Sequence, residues 1–335
     1  MRSGRCDWRL DGKRISQQVR ALDGSESLMD QANQLKDSIL NGLDRFADGD
    51  AYLKVHGLVR TRQTEEGYAS FAGFWGTLDV ADQWPAIFGG GLGGDLNFRR
   101  GPWENWSASL PGFEEIDETH PLVFSPYCGT LFHEAVGHAM EEEYLEQSPL
   151  RRFIGRKLAP ASFSVMDRPD LKGFAGSMSH DDIGRPATET TMVHKGFLVG
   201  ELVQKHGVLR RASYRDVPQV RASNFLIGPG DADPGWLEVL PHCYYIAGIR
   251  SGNWNPGSHS IKVLTGQVFK LERGRPVAFK EWAVLHFGAV ELLAGIQEVG
   301  SDLCMDPVTH WCMKKNQAVP MGMGSPSILF QRKAY

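Results

Sequence analysis

The chain has 335 residues, a net charge of −4, and 41% hydrophobic, 23% charged and 10% aromatic residues: enough for a sizeable core in one large or two smaller domains. No basic run stands out and no apolar run approaches the roughly 20 residues of a membrane span, which argues against nucleic acid and membrane as partners. Five cysteines without paired spacing, and an opening MRSGRCDWRLDGKRIS that lacks the apolar core of a secretory signal, point to a cytoplasmic protein with reduced thiols.

Taken in order, Ser25 to Phe46 reads as a helix, with Leu28, Ala32, Leu35, Ile39, Leu43 and Phe46 on one face. Residues 51–73 read as two strands around a turn. The glycine- and tryptophan-rich run 75–111, with GGGLGG at 89–94, lacks the context of a phosphate-binding loop and reads as a flexible loop or linker. From Leu122 the order is strand, tight turn, helix. Residues 151–182 are mixed and loop-rich. Hairpins are expected at Thr190–Val203, turning through His194, Lys195 and Gly196, and at VLTGQVFKLE–PVAFKEWAVL, turning through Arg273, Gly274 and Arg275. Residues 289–299 have helical spacing. No fixed-period repeat is visible.

The stretch that organises the rest is LFHEAVGHAMEEEYLE, Leu131 to Glu146. Leu131, Phe132, Ala135, Val136, Ala139 and Met140 form a buried helical stripe, which leaves His133, Glu134, Gly137, His138 and Glu141 on the other face. The motif is HExxxH rather than HExxH. Five residues on a regular helix set His133 and His138 about 140° apart, too far to share an ion. A local widening to i→i+5 hydrogen bonds, or a break at Gly137, brings them together, and a glycine there leaves room for an ion.

Two imidazoles call for a third ligand, since catalytic zinc takes three protein ligands and leaves one position to water. Cys312 is the first choice because thiolate suits zinc, with His310, Asp306 and Cys304 as nearby competitors. Glu134 is placed to act as general base. Glu141 is a candidate acceptor behind a ligating histidine, or else a solvated helix charge. Asp181, Asp182, Arg210, Arg211 and Tyr214 are candidate cleft residues, with turn and surface ion-pair roles as the plainer reading.

LFHEAVGHAMEE, SHDDIGRP, LRRASYRDVPQVRASN and CMKKNQAVPMGMGSP, in that order between about Leu122 and Leu329, resemble the TldD/PmbA family of zinc metallopeptidases, specifically the TldD-type, metal-bearing subunit. The resemblance implies zinc on His133, His138 and Cys312, with Glu134 as the base. It also implies a strand-rich α+β fold with long antiparallel sheets, divided here into a shortened N-terminal region (1–120) and a metallopeptidase domain (121–335). Members pair as homodimers or heterodimers and cleave unfolded or modified peptides bound as an added strand. A heterodimer with a related TldE/PmbA-type subunit lacking HExxxH is therefore expected, otherwise a homodimer.

Two departures stand out: Met313 follows the cysteine where the family has glycine, and Asn316 replaces the segment's second glycine. They leave open a small-molecule amide hydrolase acting on a natural-product intermediate. A non-catalytic zinc-bearing partner subunit is the weaker alternative, given the intact Glu134.

Overall fold

The computed structural model describes the backbone of residues 2–11, 14–21, 51–64, 67–80, 86–91, 97–107, 109–213 and 215–333, and side chains from Asn97 onward, Phe98 excepted. The expected helix at Ser25 to Phe46 lies outside the described residues. Among the described residues, no helix is long and apolar enough to cross a membrane.

The N-terminal strands form one antiparallel sheet in the order Arg14–Ala21, Arg2–Asp11, Ala51–Thr64, Gly67–Val80, Ala86–Gly91, Asn97–Phe98. The strand pair expected at 51–73 is present, and its second member runs on to Val80. The linker reading of 75–111 is corrected for Trp75 to Val80 and Ala86–Gly91, which are ladder-paired strands. In the register Phe74 pairs with Gly90, Trp75 with Gly89 and Phe88 with Gly76, so these glycines lie within the ladder.

From Leu122 onward the sheets surround the motif segment. One six-stranded sheet runs Arg275–Lys280, Val268–Glu272, His242–Ile246, Leu122–Phe124, Ile328–Phe330, Ile296–Val299, with a single parallel pair at its centre. A seven-stranded sheet contains Phe197–Leu198, Thr190–His194, Val165–Asp167, Asn224–Ile227, Gln317–Ser325 and Cys304–Met305, with His310–Lys314 paired onto Gln317–Ser325. Ile249–Asn255, Ser260–Thr265 and Val284–Gly288 make a third sheet. The architecture is strand-rich α+β, as expected.

Among the described residues, three two-residue hairpin turns have positive φ at both central residues: Lys195 and Gly196, Arg273 and Gly274, Lys315 and Asn316. They match the right-handed strand twist. The first two sit at the predicted turns. The late hairpin is Val268–Glu272 with Arg275–Lys280, whereas the flanking residues 263–265 and 284–285 belong to the third sheet. The helix expected over 289–299 stops at Gly295, where a Cβ would stand 2.3 Å from the Phe330 ring. Ile296–Val299 then turns extended and pairs with Ile328–Phe330.

All six predicted stripe residues of the motif segment are fully buried. Phe132 packs against the rings of Phe124 and Phe163 at 6.1 and 5.7 Å. Burial of a side chain this size is worth about 2–3 kcal/mol, which holds the segment against the sheet. The opposite face, which the stripe leaves to His133, Glu134, Gly137, His138 and Glu141, is not open to solvent. His133, Glu134, His138 and Glu141 are also buried, because strands from two sheets cover them.

Candidate metal centre

The motif segment is not one helix over 131–146. It begins as α-helix at Gly129–Phe132, widens to a π-turn at His133–Gly137, tightens to 3₁₀ at His138–Met140, and is interrupted by extended backbone at Glu141 before Glu142–Leu145. The His138 N–H donates to the His133 carbonyl, five residues back. This wider turn returns His138 to the side of His133, and the ring centroids lie 4.6 Å apart. Gly137 serves the histidine itself: a Cβ there would stand 2.6 Å from His133 Nδ1.

The third donor arrives from the strand His310–Lys314. Period-2 alternation turns Cys312 and Lys314 inward, while Trp311 and Met313 face outward. Cys312 Sγ lies 3.5 Å from His138 Nε2. One ligand atom each from His133, His138 and Cys312 fall within 4.8 Å of one another, and all three residues are buried. His133 packs edge-on to Phe225, and among the described residues neither of its ring nitrogens has a hydrogen-bond partner. A buried imidazole with two bare nitrogens is costly unless a ligand completes it. Two imidazoles and one thiolate suit tetrahedral zinc with one position left open, so the residues fit such an ion.

The electrostatics agree with that fit. Burial alone raises the Cys312 thiol, but the neighbouring His138 draws it well below its ordinary value. Burial likewise raises Glu141, yet His138 and Lys314 together bring it down to about 2. Glu141 accepts from His138 Nδ1 at 3.2 Å. It does so through the backbone break, three residues on, rather than by stacking along a continuous helix face. Glu134 Oε2 lies 4.0 Å from His138 Nε2, so its carboxylate borders the cradle.

The competing donors form a cluster of their own. Arg99 binds both oxygens of Asp306 at 2.9 and 2.5 Å, and His310 Nε2 meets Asp306 at 2.8 Å. Cys304 Sγ faces the Tyr127 hydroxyl at 3.8 Å.

Of the cleft candidates, buried Asp181 pairs with Arg185 at 2.7 Å and accepts the N–H of Leu209, Ile183 and Arg185. Asp182 accepts the Arg211 N–H at 2.8 Å. Arg210 is fully buried and donates to the carbonyls of Ala222 and Pro320. Tyr214 lies outside the described residues.

Three neighbours escaped the sequence reading. Buried Arg221 donates to the carbonyls of Cys312 and Gln317, clamping the hairpin that carries the thiol. Lys314 reaches Glu141 at 3.0 Å. Gly252, on Ile249–Asn255, faces Glu134 so closely that a Cβ would stand 2.6 Å from its Cγ. Only alternation with Cys312 along the strand hinted at Lys314.

Sheets packed around a broken helix, with two histidines and a cysteine converging beside a glutamate, define a strand-rich α+β protein with a donor set that could hold a metal ion. Residues 117–334 match the family model described as the PmbA/TldA metallopeptidase C-terminal domain, and the chain belongs to this PmbA/TldD family. It is 30% identical over 212 residues to a metalloprotease of Methanothermobacter thermautotrophicus, covering 60% of this chain and 46% of that one. It is 28% identical over 235 residues to a metalloprotease TldD homolog of Buchnera aphidicola, covering 66% and 48%. The chain thus spans about half the length of these curated relatives. Among solved structures, TldE from Thermococcus kodakarensis superposes with a TM-score of 0.66 at 14% identity, covering 99% of this chain and 94% of that one, which shows the shared fold.

Proposed function

We propose that the chain is a zinc-dependent peptidase that holds the ion on His133, His138 and Cys312 and uses Glu134 as general base. The observation that carries this reading is the convergence of three buried donor atoms within 4.8 Å of one another, with the Glu134 carboxylate alongside. A bound zinc supplies an activated water and polarises the scissile carbonyl. The chain's own residues do the rest. His133 and His138 present ring nitrogens from one π-turn, Cys312 presents a thiolate from the facing hairpin, and Arg221 holds that hairpin by its carbonyls. Glu134 takes a proton from the attacking water and returns it to the leaving amine.

Among the described residues the strand His310–Lys314 pairs with Gln317–Ser325, so Cys312 lies within a sheet. A peptide bound as an added strand of that sheet, as the family resemblance implies, would pass beside Cys312. A related subunit without the motif is the proposed partner, completing the cleft as a heterodimer.

The test is Glu134→Gln, assayed on peptides and small amides with and without a candidate partner subunit. Zinc content should stay at the wild-type level while turnover falls by at least about 100-fold. Turnover within tenfold of wild type, with zinc retained, removes Glu134 from the role. Turnover of small amides with none of peptides overturns the peptidase reading. Light scattering on the chain alone and with the partner checks the assembly, and a fully active monomer overturns it.

A further inference from the structure

We infer that Lys314 is a positioning residue for the metal centre, acting on His138 through Glu141; this rests on the metal-binding reading above. Glu141 is fully buried and the Lys314 side chain is 3% exposed. Two charges in the interior are tolerated only when they satisfy one another.

Their geometry concentrates on a single atom. Glu141 Oε2 receives His138 Nδ1 at 3.2 Å and Lys314 Nζ at 3.0 Å, while Oε1 has no partner among the described residues. The ammonium group also lies 3.4 Å from the Val220 carbonyl and from Glu143, and 5.2 Å from the centre of the Tyr144 ring. It is therefore held from several sides and in turn fixes the carboxylate.

The consequence reaches the cradle. An Nδ1–H that donates to Glu141 leaves the lone pair on Nε2, the atom facing Cys312 Sγ at 3.5 Å. Lys314 comes two residues after Cys312 on the same face of one strand, so the hairpin that delivers the thiol also delivers the cation that orients the opposing imidazole. Without Lys314 the carboxylate loses the partner that keeps Oε2 against Nδ1, and His138 loses its fixed orientation.

The test measures zinc affinity by competition with a chromophoric chelator, together with the absorption spectrum of the cobalt-loaded protein. The variants are Lys314→Met, Lys314→Arg, Glu141→Gln and the double Glu141→Gln/Lys314→Met. Lys314→Met should weaken zinc about 10- to 100-fold and alter the cobalt spectrum, and Lys314→Arg should recover most of the loss. The double variant should bind zinc no more weakly than Glu141→Gln alone, because Lys314 acts only through that carboxylate.

Wild-type affinity in Lys314→Met overturns the inference. So does a further full loss when Lys314→Met is added to Glu141→Gln. If Lys314→Met fails to fold, the double variant, which buries a neutral pair, and Lys314→Arg decide the question. A wild-type chain that takes up no zinc overturns the metal-binding reading itself, an outcome distinct from a zinc-loaded chain indifferent to Lys314.

Discussion

The Cγ of Glu134 occupies space that a side chain on Gly252 would need: a Cβ there would stand 2.6 Å from Glu134 Cγ and 3.0 Å from Thr130 Cγ2. The strand Ile249–Asn255 thus approaches the motif segment so closely that only glycine leaves the carboxylate its place. Gly252→Ala should therefore keep zinc but lower kcat by about 10- to 100-fold, the cost of shifting a catalytic group by around 1 Å. Zinc stoichiometry and steady-state kinetics on the same preparation check this, and an unchanged kcat removes the steric role.

Gly137→Ala inverts the usual helix rule. In an ordinary helix interior this change stabilises by about 1 kcal/mol. Here the new methyl group would stand 2.6 Å from His133 Nδ1 and push the ring off its position. Zinc retained after dialysis should fall well below one per chain. A variant that is both more stable and fully loaded contradicts this account of the π-turn.

Asp306 carries a pH dependence whose sign follows from its partners. Burial raises its carboxyl, but Arg99 and His310 outweigh that and hold it far below the ordinary range. Below about pH 5 the unfolded chain takes up a proton that the folded chain refuses, so stability is present above this range and lost as the pH falls through it. Asp306→Asn should cost about 3–5 kcal/mol at neutral pH, because Arg99 is left buried without its carboxylate. It should also flatten the loss between about pH 5 and 3. Urea unfolding at several pH values reads both effects, and an Asn variant with the wild-type acid slope contradicts the assignment.

The turn beyond Cys312 has φ of 46° at Lys315 and 62° at Asn316. Asn316→Gly should be neutral or slightly stabilising, whereas Asn316→Ala should cost about 1 kcal/mol through left-handed strain. Thermal unfolding of the two variants checks the order. Equal midpoints would mean that the turn is not held in this form.

The family and the motif residues were legible in the sequence because they depend on residue type and local order. The HExxxH spacing required a widened or broken helix, and His133–Gly137 supplies the widened turn. The six stripe residues were readable from their spacing, and the hairpin turns at Lys195–Gly196 and Arg273–Gly274 from their glycines. Asn316 departs from the family glycine yet keeps a left-handed turn, since asparagine tolerates positive φ better than most residues.

What the sequence could not decide depends on neighbours far along the chain. Period and propensity describe one segment at a time, so they made a single helix of 131–146 and a linker of paired glycine strands, and they did not show that two sheets cover the face the stripe leaves. The break at Glu141 follows from what flanks it: the Glu142 N–H donates to the Leu202 carbonyl, and the Glu141 carboxylate is drawn toward Lys314, 173 residues away. Arg221 beside the Cys312 carbonyl and Gly252 against Glu134 are likewise contacts between separate strands. The sequence by itself determined which groups have the chemistry to hold a metal and move a proton. Only the tertiary structure decided which buried charges and missing side chains surround them, because those depend on which distant strands pack against one turn.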